Sequence, residues 1–181
     1  MPKRQGRYKG LPQILRAGTM DSGTEYLEIT FEVYAILDRD EFVAVEQEFN
    51  RYVKLFLTDA ALDYTVETLE HLGMDYEDAM DRLIDNHQQT GDMVVDAPDL
   101  TWAEWVYGDG VELQCKHKPT QDRAEPYENW NIVRDYEREP DSVSESTLKR
   151  VAQRMERVER KADRKQTVNG PEDISDDEIP F

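Results

Sequence analysis

Cysteine is almost missing from this chain of 181 residues. Cys115 stands alone, so no disulfide can close within the chain and a reducing compartment is expected. Long apolar runs are missing as well. No stretch approaches the ~20 apolar residues of a membrane span, and the basic start at Lys3 and Arg4 leads into no apolar segment. A cytoplasmic protein without membrane association is therefore expected. Histidine is scarce: His71, His87 and His117 are scattered without metal-ligand spacing and have one thiol to join them, so neither metal nor cofactor is expected. There is no Gly-x4-Gly-Lys-Ser/Thr loop to cradle phosphates and no Gly-x-Ser-x-Gly elbow to present a nucleophile. Base is short overall: 22 Lys and Arg stand against 40 Asp and Glu, a net charge of -18. With a mean hydropathy of -0.82, a modest core with polar extensions is expected.

The charge is unevenly placed. Residues 1–20 carry Lys3, Arg4, Arg7, Lys9 and Arg16 and no acid, whereas residues 59–112 hold fifteen acids and one base, Arg82. Net charge alone argues against contact with a polyanion, but its distribution decides where one can sit. The acidic block invites a search for a metal-dependent carboxylate cluster. Asp75, Glu77, Asp78 and Asp81 instead fall on one exposed face of an expected helix, which is how a solvated face reads. No catalytic residue is assigned, and the chain does not read as an enzyme.

Strands dominate the first 140 residues. Residues 7–17 form a first strand, with Pro12 suiting an edge or a bulge. After a turn at 20–24, Leu27, Ile29, Phe31 and Val33 alternate with Tyr26, Glu28, Thr30, Glu32 and Tyr34, the pattern of a strand with one wet face. Residues 42–57 continue as strand. Thr58-Asp59 is expected to cap a helix with Leu62, Val66, Leu69 and Leu72 on its apolar side and Gly73 as its stop. A second helix spans 75–87. Residues 102–107 and 111–117 read as strands around a Gly108-Asp109-Gly110 hairpin turn, and 129–136 as the closing strand. The fold class is mainly β with inserted helices. A small barrel with helix between its third and fourth strands is the OB-fold, and that architecture is expected for residues 1–140.

Residues 141–167 read as an amphipathic basic helix. Ser142 and Glu145 form a capping box, and Leu148, Val151, Met155, Val158 and Ala162 line a heptad seam between Arg and Lys flanks. Three uses stay open for it: packing on the domain, homodimerisation through the seam, and contact with nucleic acid. Residues 168–181 hold too little apolar surface to offset chain entropy and are expected to form a disordered acidic tail. Its tip, Asp176-Asp177-Glu178-Ile179-Pro180-Phe181, combines charge, two apolar anchors and a stiffening proline, the chemistry of a peptide that docks on partner proteins.

That tip resembles the C-terminal tip of bacterial single-stranded-DNA-binding proteins, with Glu178 where an aspartate is usual. The body, through Gly6-Arg7-Tyr8, residues 27–33, residues 51–57 with the helix ending at Leu72-Gly73, and Val111 to Lys118 followed by Asn129-Trp130, is similar to small phage-encoded single-stranded-DNA-binding proteins of the OB type. The resemblance implies binding of single strands without sequence preference, protection of those strands, and recruitment of replication, recombination or repair proteins by the tail. It also implies the cytoplasm of a bacterial host.

Single-strand binders combine basic grooves with aromatic platforms on which bases stack. Suitable residues interleave at Arg7, Tyr8 and Lys9, at Arg51, Tyr52 and Lys54, at Lys116 and Lys118, and at Tyr127, Trp130 and Arg134, with Arg16 and the wet-face Tyr34 beside them. Tyr8, Tyr52 and Trp130 are the strongest single candidates. The alternative reading is an adaptor without DNA binding, or a DNA-mimicking inhibitor, that presents the acidic tail to tail-binding enzymes.

Overall fold

A computed structural model describes residues 2–134; the basic helix expected at 141–167 and the acidic tail at 168–181 lie outside the described residues. Strand β1 (Gly6–Thr19) is followed by β2 (Glu25–Asp38) and β3 (Glu41–Phe56). Helices α1 (Leu62–His71) and α2 (Tyr76–Thr90) lead to a short β4 (Val94–Asp96), a 3-10 turn (Ala97–Asp99) and helix α3 (Glu104–Gly108). Strands β5 (Val111–Lys118) and β6 (Tyr127–Ile132) complete the domain. The sheet is antiparallel and runs β3-β2-β1-β5-β6, with β4 paired to β1, giving a small barrel-like β domain with a few helices.

Alternation fixes the core. Leu27, Ile29, Phe31, Val33 and Ala35 of β2 are buried, as are Val53 and Leu55 of β3 and Val111, Leu113 and Cys115 of β5. Their neighbours point outward because side-chain direction flips at each strand residue. Helix α1 buries Val66 and Leu69, and Leu72 just beyond it; the Thr65 hydroxyl donates to the Phe56 carbonyl at 2.6 Å, tying the helix to the end of β3. Helix α2 buries Ala79, Met80 and Leu83.

Of the two places that suit Pro12, it takes the bulge and not the edge, and three other expectations are corrected. β1 lies inside the sheet, flanked by β2 on one side and by β5 and β4 on the other. Proline is tolerated there because β5 pairs with Gly6–Gly10 and β4 with Ile14–Arg16, which leaves Pro12 in the gap, beside a bulge in its register with β2. Its carbonyl accepts the Tyr107 hydroxyl at 2.8 Å. The strand expected at 102–107 is instead α3, and Gly108-Asp109-Gly110 is the exit from that helix rather than a hairpin turn. Its aromatic residues suggested a strand, but Trp102, Trp105 and Val106 stand at helical spacing; Val106 is buried and the Trp102 indole donates to the Ala97 carbonyl. Thr58 and Asp59 do not cap α1, which starts at Leu62 with Ala61 as its uncapped N-terminal residue. The closing strand starts at Tyr127 and ends at Ile132, ahead of 133 and 134; the last two residues expected in it, 135 and 136, lie outside the described residues.

The path of strands curls until its two ends meet. β3 and β6 lie side by side, yet among the described residues no backbone hydrogen bond joins them. Side chains close this seam. Arg51 Nε donates to Glu128 Oε2 at 2.7 Å, and the Phe49 and Trp130 rings meet edge to face with centroids 6.1 Å apart.

Candidate nucleic-acid interface

The two seam pairs define a register. Phe49 faces Trp130 and Arg51 faces Glu128, so β3 and β6 run antiparallel across the gap. Stepping one residue along each strand turns the side chains outward, which sets Asn50 opposite Asn129 and Tyr52 opposite Tyr127. These outward residues wall a cleft of about 640 Å³ that also takes in Lys54, Asn131 and, from the start of α1, Tyr64. Arg51, Glu128 and Trp130 belong to its lining as well, and Arg123, Glu125 and Pro126 come from the β5–β6 loop. Tyr52 and Tyr127 are each about half exposed, at 49% and 47%.

Glu128 is the electrostatic centre. Burial pushes its carboxyl pKa up, but Arg51, the Lys3 backbone N–H at 2.6 Å and the Trp130 indole at 2.8 Å all donate to it, and together they hold it down at about 2. It is therefore a fixed anion, and Arg51 is committed to it. Lys54 Nζ is less committed: it lies 4.0 Å from Glu28, 4.5 Å from the Tyr26 ring centroid and 5.6 Å from that of Tyr52. The Tyr127 hydroxyl is held above its usual pKa by burial first and then by the Tyr52 hydroxyl beside it. Tyr127 therefore stays neutral at physiological pH.

The other sequence-derived candidates separate clearly. Tyr8 is buried, its hydroxyl donating to the Arg4 carbonyl and its ring packed 4.9 Å from Trp130 and 6.1 Å from Phe49; it is core, not a platform. Burial pushes its pKa up to about 12. Trp130 is 7% exposed and offers the cleft little more than an edge. The cation nearest the Trp130 ring is the seam residue Arg51, 5.9 Å from its centroid. Arg7, Lys9 and Tyr34 gather elsewhere, around residues 109–112. Arg7 pairs with Glu112 at 2.9 Å, while Lys9 Nζ and the Tyr34 hydroxyl both donate to the Asp109 carbonyl. Arg16 lines a separate hollow with Arg82, Asp85, Asp92 and Asp96. Arg134 pairs with Glu67 and covers the Tyr64 ring at 4.7 Å. Lys116 and Lys118 stand exposed on β5, opposite Asn129 and Tyr127 of β6.

The acidic helix face has local duties. Asp75 caps α2 by accepting the Asp78 N–H, and Asp78 accepts from Arg82 at 2.9 Å. Sequence reasoning missed Asn50, Asn129, Asn131 and Tyr64. The period-two run Tyr127-x-Asn129-x-Asn131 was a usable signal for the β6 wall, whereas Tyr64 reaches the cleft only through the placement of α1. Among the described residues no helix is long and apolar enough to cross a membrane. Comparison of the chain with protein families, with curated proteins and with solved structures finds no match.

Proposed function

We propose that this chain is a non-sequence-specific single-stranded-DNA-binding protein of phage type, built on an OB-fold, that holds the strand in the cleft along the β3–β6 seam. The observation that carries the reading is the pair of half-exposed tyrosines, Tyr52 and Tyr127, facing each other beside Lys54 on neighbouring strands. Base–aromatic stacking contributes about 1–3 kcal/mol per base and is tolerant of sequence. The topology supports the architecture. A sheet ordered β3-β2-β1-β5-β6, its ends adjacent and its main helices inserted after β3, is the arrangement of an OB-fold once the short β4 is set aside. In that fold oligonucleotides lie across the second and third strands and the loop joining the last two. Here that loop supplies Arg123, Glu125 and Pro126 to the cleft. The acidic residues of α1 and α2 would keep a polyanion off the helical side.

Recruitment of replication, recombination or repair proteins through Asp176 to Phe181 rests on the resemblance of the tip, which lies outside the described residues. Fluorescence-anisotropy titration of labelled oligo(dT) tests the DNA-binding reading. Saturable binding is expected, weakened roughly 5- to 150-fold by Tyr52→Ala or Tyr127→Ala if each ring carries one base. Absence of binding by the full-length protein even at low salt would overturn it and return the adaptor or mimic as the better account.

A further inference from the structure

The cleft is short, and most of its charge is already spoken for. Two facing tiers of uncharged residues cross the seam on the outward side, Asn50 with Asn129 and Tyr52 with Tyr127, and outward residues on a strand recur about every 6.6–6.8 Å. Three tyrosines line it, of which Tyr52 and Tyr127 are about half exposed while Arg134 covers the Tyr64 ring. Arg51 is bound to Glu128, and Lys54 has Glu28 as a neighbour at 4.0 Å. Two carboxylates, Glu125 and Glu128, sit in the lining itself. Beside the cleft, Lys116, Lys118 and Arg123 are exposed cations that form no ion pair among the described residues; Lys3 and Arg4 form none either, and Lys3 Nζ lies 4.1 Å from the centroid of the Phe49 ring at the seam. The cleft walls are otherwise neutral amides, which donate and accept hydrogen bonds without attracting phosphate.

Resting on the single-strand reading, we infer that this cleft is a short-segment site: it takes about two to three nucleotides by stacking and amide contact, with at most three phosphates neutralised. The ligand class is then a short unpaired stretch, such as a small gap, a frayed end or a free di- or trinucleotide, rather than a long tract wrapped around the barrel.

The test is a length and salt series with the full-length protein, using labelled oligo(dT) from about two to about twelve nucleotides. Affinity is expected to level off by about four nucleotides, apart from the linear gain from extra binding frames. A plot of log K against log salt should have a slope no steeper than about −2, since each phosphate contact on a single strand contributes about −0.7. Tyr52→Ala, which removes an exposed ring, should lower affinity at every length. Affinity that still climbs steeply at about twelve nucleotides, or a slope steeper than about −3, overturns the short-segment site while leaving single-strand binding intact. No binding at any length overturns the single-strand reading, and the short site with it.

Discussion

Glu128 and Tyr8 show how single residues divide the work of this barrel. Glu128 is an anion at the seam, with its side chain 15% exposed and donors from Arg51, Lys3 and Trp130 around it. Its folded pKa, about 2, lies below the ordinary 4.5. Its contribution to stability is therefore complete above about pH 4.5 and is lost as pH falls through about 2; the shift corresponds to about 3 kcal/mol. Urea unfolding across that range should show the decline, and Glu128→Gln should flatten this part of the profile while destabilising the domain by about 2–4 kcal/mol at neutral pH. Tyr8 and Tyr52 make a second comparison. Tyr8→Ala empties a core position and should cost about 3–5 kcal/mol of stability. Tyr52→Ala removes an exposed ring and should change stability by less than about 0.5 kcal/mol, yet weaken oligo(dT) binding. Thermal unfolding and anisotropy on the same two variants check both statements. In sequence the two tyrosines look alike, each beside a basic residue. What separates them is which side of its strand faces the barrel, and at Tyr8 that depends on contacts with Phe49 and Trp130 more than 40 residues away in the chain.

At the scale of elements, the strongly periodic segments were legible and the irregular ones were not. The alternation in β2 named its buried face residue by residue, and the helical spacing of Val66, Leu69 and Leu72 named the buried side of α1. Three-residue β4 has no periodicity to detect; it exists because β1 leaves an edge open beyond Gly10. At Gly10 a Cβ would come within 3.1 Å of both Phe31 and Leu113, so glycine lets three strands approach as the barrel bends. Gly73 was legible as a helix stop, and its φ of +63° is the left-handed conformation expected after a helix end. Its second duty was hidden: a Cβ there would lie 2.7 Å from that of Ala103, whose N–H bonds the Leu72 carbonyl at 2.9 Å. Gly73→Ala should therefore combine backbone strain with a clash and destabilise by about 1–3 kcal/mol, measured by denaturant unfolding.

For the molecule as a whole, the cleft was half legible. Tyr52, Lys54 and Tyr127 are candidates that the sequence offers singly, but their meeting at one seam follows from the curl of the sheet, which no local pattern reports. Charge is partitioned in the same way: acids crowd residues 59–112, while Lys116, Lys118 and Arg123 come from the β5–β6 hairpin beside the cleft. Replacing Lys116 and Lys118 together with Glu should weaken oligo(dT) binding and make the salt slope shallower by about 1.4, since each lost phosphate contact removes about 0.7. An unchanged slope would place those lysines outside the path of the strand.

A barrel whose two terminal strands, β3 and β6, touch without a backbone ladder should leave an isotopic trace. Along residues 49–56 and 127–132, every second peptide N–H points into the seam and finds no carbonyl partner on the opposite strand. In deuterated solvent those amides should exchange early and their neighbours late, which would draw the seam as an alternating pattern along two strands. An oligonucleotide seated across it would slow the early set first.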